Sequence, residues 1–383
     1  MKIGVIGAGR LGICFALLCE QSGYDVVVSD IREDYIQDLK NKKITTNEPE
    51  VQELLSKSKN IKATTDNFQV IRECDIIYTL VATPSLPSGD YDVSAVWQVV
   101  TDIQQSGNVK GKSFIVGCTT NPGDCELFQK QLESYGVDVF YNPEFIAQGS
   151  IIKDLRRADM VLIGGKNNKV YEQLCELYNK IQETQPRINI MSTTAAELVK
   201  LAVNCFLTTK ISYANMVGEV MTLAGIENEI PTVLGAIGDD TRVGKKYLNY
   251  GYGFGGPCLP RDNRSFAAYA RKLGLEFDLG STTDNFNEEH SKFLFNYLVK
   301  NNTQSLPFYF DYISYKRGTD ILTESQQFRL CFTLLESGYT VYVSDNDAVI
   351  NTVENDLKIR FGDKIKFVKS YSDIQEEVYK VNF

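Results

Sequence analysis

The residues best suited to covalent chemistry lie together in Tyr250-Gly-Tyr-Gly-Phe-Gly-Gly-Pro-Cys-Leu-Pro-Arg-Asp262. Gly251, Gly253, Gly255 and Gly256 carry no side chain where a ligand could press against backbone, and Pro257 stiffens the approach to Cys258. A thiol presented this way can add to an electrophilic carbon. Asp262 lies four residues beyond Cys258, and Pro260 is favoured near helix starts, so a helical turn there sets thiol and carboxylate on one side as nucleophile and candidate base. Most cysteines are small buried apolar groups, and it is the loop and the carboxylate that set Cys258 apart. Tyr250, Tyr252, Phe254 and Gly255 of the same loop are candidate substrate contacts.

A second constellation is Lys200 and Asn204, one turn apart in an apolar helical stretch from Ser192 to about Ala224. Lys200 can snorkel to water, or pair with Asn204 as a two-donor site for an oxyanion. The only histidine is His290, in the polar Asn287-Glu-Glu-His-Ser, where a solvated surface position is expected. Acid–base chemistry then falls to carboxylates, lysine or water.

These groups need a scaffold, and the amino-terminal sequence supplies one. Lys2 to Ile6 reads as a strand, Gly7-Ala-Gly-Arg-Leu-Gly12 opens an apolar helix, and the strand Val26 to Ser29 ends at Asp30. Gly-x-Gly-x-x-Gly between strand and helix, with an acidic residue ending the next strand, is the dinucleotide fingerprint. Gly7, Gly9 and Gly12 admit a pyrophosphate to the helix amino terminus, with Arg10 and Leu11 in the same turn. Asp30 would accept from ribose hydroxyls and repel a 2′-phosphate, favouring NAD over NADP, with Arg32 nearby as the opposing feature.

Strand and helix patterns then alternate as a parallel doubly wound sheet requires. Strands end at Ala82-Thr-Pro-Ser85, Thr119-Thr-Asn-Pro122 and Asn142-Pro-Glu-Phe145, so Thr83, Thr120 and Glu144 sit at the carboxyl edge, although threonine, asparagine and proline are also ordinary turn formers. A second βαβ pattern has strands at Phe308 to Ser314 and at Thr340 to Ser344, the latter before Asp345. Lys316 and Arg317, with Arg242, Lys245 and Lys246, are candidates for a diphosphate or are solvated charges. The fold expected is α/β, two Rossmann-like doubly wound domains joined by a long central helix, divided at 1–191, 192–300 and 301–383.

Composition excludes several partners. The net charge is −9 with no basic tract, which argues against nucleic acid. Nine cysteines without a Cys-x-x-Cys pair suggest neither a disulfide framework nor a metal site, and with no leader or membrane-length apolar run the expectation is a cytoplasmic protein away from membranes.

Taken in order, the motifs resemble the UDP-glucose/GDP-mannose dehydrogenase family through nearly the whole chain. They are Gly7 to Gly12, Thr119-Thr-Asn-Pro, Asn142-Pro-Glu-Phe-Ile-Ala, Glu197-Leu-x-Lys-x-x-x-Asn204, Gly253-Phe-Gly-Gly-x-Cys-Leu-Pro-x-Asp262 and Lys316-x-x-Thr-Asp320. The resemblance implies oxidation of a nucleotide-sugar C6 alcohol to a carboxylate with two NAD, through a thiohemiacetal and thioester on Cys258. It nominates Asp262 for the hydrolytic water, Thr120 and Glu144 to position or deprotonate it, and Lys200 and Asn204 for the oxyanions. It implies that Lys316 contacts the nucleotide-sugar in the carboxyl-terminal domain, and that Arg242 reaches a neighbouring subunit's substrate in a homodimer. Phe145, where otherwise similar N-acetylhexosamine dehydrogenases usually carry arginine, suggests UDP-glucose over a UDP-N-acetylhexosamine; GDP-mannose dehydrogenases share the phenylalanine.

Three departures stand out: Gln148 where a second glutamate is usual, Thr323 in place of an arginine, and an end at Phe383 after a helix-like Ser372 to Val378, for which the expectation is either a small carboxyl-terminal sheet or a truncated chain. Rival readings are a β-hydroxyacid dehydrogenase, which uses one hydride transfer and no thiol, and an inactive nucleotide-sugar or NAD binder.

Overall fold

Short β-branched runs such as Val26-Val-Val28 and Ile76-Ile77 carry apolar groups on successive residues, so both faces of each strand must be covered. A computed structural model, which describes residues 1–383, shows how. Eight strands form one sheet: β1 Lys2–Ile6, β2 Asp25–Ser29, β3 Ile61–Thr64, β4 Ile76–Thr79, β5 Ser113–Val116, β6 Asp138–Tyr141, β7 Met160–Gly164 and β8 Arg187–Met191. Their order is β3-β2-β1-β4-β5-β6-β7-β8. One apolar core on one face contains Ile3, Val5, Val26, Val28 and Tyr78; another on the opposite face contains Ile6, Val27, Ile77, Phe114 and Val116. The expected all-parallel sheet fails at one place, where β6 and β7 meet antiparallel through Tyr141 and Gly164. The link between them is a loop and one short helix, Ile151–Arg156, rather than a full crossover.

The strand order reverses between β1 and β4, the switch point where doubly wound sheets bind ligands. The glycine turn after β1 and the loop with Thr83 after β4 both open there.

The chain forms two compact units, Met1–Leu201 and Ala202–Phe383, with the helix Thr193–Leu223 carrying it from one into the other. In the second unit the helices Leu259–Lys272 and Leu279–Asn301 precede a parallel sheet of β9 Phe308–Phe310, β10 Val341–Val343, β11 Ile365–Phe367 and β12 Tyr379–Lys380, in the order β11-β10-β9-β12. Strand β9 is shorter than the expected Phe308 to Ser314, because the N–H groups of Ile313 and Ser314 donate to the Asp345 carboxylate at 2.9 and 2.8 Å instead of to a neighbouring strand. The helix-like Ser372 to Val378 is one 3₁₀ turn, Tyr371–Asp373.

His290 corrects another expectation. It is 1% exposed, and its Nδ1 lies 2.6 Å from Glu219 Oε1 and its Nε2 2.7 Å from the Gly251 carbonyl. The histidine joins the long helix to the start of the cysteine loop, and Asn287, also buried, donates to the Phe254 carbonyl of the same loop at 2.9 Å. No helix is long and apolar enough to cross a membrane.

Candidate active site

In the first unit the glycine turn divides its labour. Gly7 has φ +96°, and a Cβ there would lie 2.8 Å from the Leu80 carbonyl; a Cβ on Gly12 would collide with the Gly7 oxygen. Both are required by packing. Gly9 has nothing within 4 Å, and it precedes the helix Arg10–Gln21, which has no side-chain cap. Bare amides under open space fit a pyrophosphate. Burial works against the Asp30 charge, but hydrogen bonds from Arg32 outweigh it and hold the carboxyl below its ordinary range, with Nε 2.8 Å and Nη2 2.9 Å from its two oxygens. Arg32 is exposed enough to yield to a ribose. Arg10 reaches Gln148 Oε1 at 3.3 Å, Leu11 packs on the core, and Thr83 is buried.

Glu144 and Lys200 are 56 residues apart and in contact, the lysine Nζ donating to the Glu144 carbonyl at 2.9 Å. The same ammonium lies 4.7 Å from the centre of the Phe145 ring, and Lys200 is only 8% exposed, so it does not snorkel to water. Desolvation pushes the Glu144 carboxyl up to about 7, against the opposing pull of Tyr178, which donates to it at 2.5 Å, and of Lys200. A carboxyl poised there can serve as a base near neutral pH.

Thr120 is fully buried and donates to Glu197 Oε1 at 2.9 Å. Glu197 also accepts from the Gly123 and Cys125 amides at 2.7 and 2.9 Å, at the amino terminus of the helix Asp124–Leu132. Burial nevertheless raises its carboxyl to about 7. Glu197 lies three residues before Lys200 in a motif the sequence displays, yet nothing local marked it as Thr120's partner. Tyr178, Asn142 and Tyr78 around Glu144 were missed in the same way.

In the second unit Cys258 precedes the helix Leu259–Lys272, and the Asp262 amide donates to the Cys258 carbonyl at 2.9 Å, so the expected turn forms one residue earlier than Pro260. Of the nine free cysteines Cys258 alone is exposed. Burial pushes Cys205 up to about 11 and Cys118 up to about 12, which disfavours their thiolates. Asp262 is 2% exposed and accepts from Asn204 Nδ2 at 2.5 Å. Lys200 and Asn204 follow one another by one turn along the long helix, but each is tied to its own carboxylate residue rather than to the other.

The loop glycines are filled by the chain itself. A Cβ on Gly253 would strike Asn287, one on Gly255 the Glu324 carbonyl, and one on Gly256, at φ +81°, the Tyr315 ring. The bareness read as space for a ligand is here space for the protein. Tyr250 stands edge-on to His290, Tyr252 packs on Phe383, and Phe254 is 2% exposed. Arg242 is exposed and paired with Asp240 at 2.7 Å; Lys316 is exposed in the loop that follows β9.

Residues 1–182 match the model of the UDP-glucose/GDP-mannose dehydrogenase family, NAD binding domain, and residues 194–289 that of its central domain. The chain is 29% identical to UDP-glucose 6-dehydrogenase AglM of Haloferax volcanii, over 95% of this chain and 87% of that protein. It is 30% identical to a UDP-glucose 6-dehydrogenase of Rhizobium meliloti, over 76% and 68% respectively. A solved UDP-glucose dehydrogenase of Pyrobaculum islandicum superposes with TM-score 0.85 at 27% identity, over 96% of this chain and 86% of that one. Other relatives are GDP-mannose 6-dehydrogenases, and another solved structure is a UDP-D-ManNAc dehydrogenase. The first unit thus contains an NAD-binding domain, and the cofactor is NAD.

Proposed function

The chain belongs to the UDP-glucose/GDP-mannose dehydrogenase family, and from that premise we propose that it oxidises the C6 alcohol of UDP-glucose to the carboxylate of UDP-glucuronate. The observation that carries this reading is Cys258, the exposed thiol among nine, beginning a helix with Asp262 one turn on.

Gly7, Gly9, Arg10, Leu11, Gly12, Asp30 and Thr83 would hold NAD, which supplies the hydride acceptor for each of two oxidations. The Cys258 thiolate adds to the C6 aldehyde, forming a C–S bond and an alkoxide for Lys200 and Asn204 to stabilise. Loss of the second hydride leaves a thioester on Cys258. Water adds to its carbonyl, the C–S bond breaks with its electrons returning to sulfur, and the acid departs. Alcohol to aldehyde and hemiacetal to thioester each remove two electrons, and hydrolysis removes none. Asp262, buried and held by Asn204, serves the water, with Glu144 and Thr120 helping to position or deprotonate it.

Phe145 supports glucose over an N-acetylhexosamine. Lys316 and the half-buried loop residues Tyr250 and Tyr252 would contact the nucleotide-sugar, with Phe254 and Gly255 packed into the chain behind them. Within a cytoplasmic homodimer Arg242 would reach the neighbour's substrate, and the exposed Phe206, Val220 and Leu223 of the long helix support such a pairing. The parts are an NAD-binding domain at 1–191, a central domain at 192–300 and a nucleotide-sugar-binding domain at 301–383. An NADH assay over UDP- and GDP-sugars tests the reading. UDP-glucose should be preferred and yield two NADH per sugar; one NADH per sugar, preference for another sugar, or binding without NADH would overturn it.

A further inference from the structure

The Glu144 carboxylate is held by a hydroxyl that has two acceptors to choose between. Tyr178, on the helix Asn168–Ile181 and 2% exposed, has its oxygen 2.5 Å from Glu144 Oε1 and 2.8 Å from Asn142 Oδ1. Asn142 Nδ2 donates to the Leu162 carbonyl at 2.9 Å, which turns its oxygen toward the tyrosines. That oxygen also accepts from Tyr78, 1% exposed, at 3.0 Å. A phenol has one proton to donate.

We propose that Tyr178 is a positioning residue for Glu144, its hydroxyl turning between the Glu144 carboxylate and the Asn142 oxygen as Glu144 loses and regains its proton. With Glu144 ionised, the Tyr178 proton points to Oε1 and Asn142 keeps the donor from Tyr78. With Glu144 protonated, the carboxyl donates to the Tyr178 oxygen, and Tyr178 donates to Asn142. Each group has a partner in both states, as burial demands. The other groups facing Glu144 are the Lys200 ammonium on its carbonyl, the buried Cys19 thiol from the helix Arg10–Gln21, and Tyr78 from β4. Desolvation raises the Glu144 carboxyl to about 7, so both states are populated near neutrality. The inference rests on the reading of Glu144 as a carboxylate that helps Asp262 position or deprotonate the hydrolytic water.

Difference infrared titration of the full-length protein tests it without turnover, with Glu144→Gln identifying the carboxyl band. In the wild type a tyrosine C–O band should shift together with Glu144. In Tyr178→Phe the Glu144 midpoint should rise by about one pH unit, the size expected for losing a hydrogen bond to a charged group. The acid limb of kcat should rise with it while KM for the sugar stays nearly constant. A midpoint unmoved by Tyr178→Phe, or a wild-type titration without the tyrosine shift, overturns the proposal. A moved midpoint with an unmoved acid limb overturns the role given to Glu144 in the reaction, and with it Tyr178 as a positioning residue, so the two failures are told apart.

Discussion

Asn204 donates to the Asp262 carboxylate at 2.5 Å, fastening the long helix to the helix that begins at Cys258. Both residues are buried. Asn204→Ala removes a charge-assisted donor and should cost about 1.5–3 kcal/mol, read from the urea midpoint. It should also slow release of the acid, because Asp262 loses the contact that aims it.

Cys258→Ala should lower formation of the acid at least about a thousandfold, the order of effect seen on deleting a nucleophile. Cys258→Ser should stall after the first oxidation or accumulate a slow ester, and Asp262→Asn should accumulate the thioester. Intact-protein mass spectrometry distinguishes these adducts. Wild-type turnover in Cys258→Ala would remove the thioester route.

Glu197 predicts a pH dependence of stability. Its carboxyl titrates near 7 in the folded chain, above the ordinary 4.5, so between those values the folded state holds more protons than the unfolded. Stability from this group is therefore complete below about pH 4.5 and is lost as pH rises toward 7. The Tm of the wild type minus that of Glu197→Gln should fall across this window and level off above it. A flat difference would show that Glu197 does not titrate there.

His290→Phe keeps the ring but deprives Glu219 and the Gly251 carbonyl of their shared partner. A loss of roughly 2 kcal/mol is expected in chemical denaturation, since the buried Gly251 carbonyl and the half-buried Glu219 carboxyl both lose the imidazole they face. NADH turnover should fall as well, because Gly251 begins the loop that leads to Cys258. A surface histidine would show neither effect.

Much of the fold could be read from local pattern. Strand β1, the helix after it and β2 lie where period and glycine placement put them, and the spacing of Cys258 and Asp262 forecast their shared turn. Strands β3, β11 and β12 were not anticipated, being four residues or fewer with mixed composition. The partners of Glu144, Thr120 and His290 were equally hidden, since they lie 34, 77 and 71 residues away.

What the sequence determined by itself was the dinucleotide turn, the cysteine loop and the family, because each is written in residues a few positions apart whose spacing the backbone converts directly into geometry. What only the tertiary structure decided was the electrostatic state of the site's parts. The depth at which Glu144 and Glu197 are buried, the donors that reach them, and the burial of His290 all arise from elements distant in sequence packing together, and desolvation has no local code.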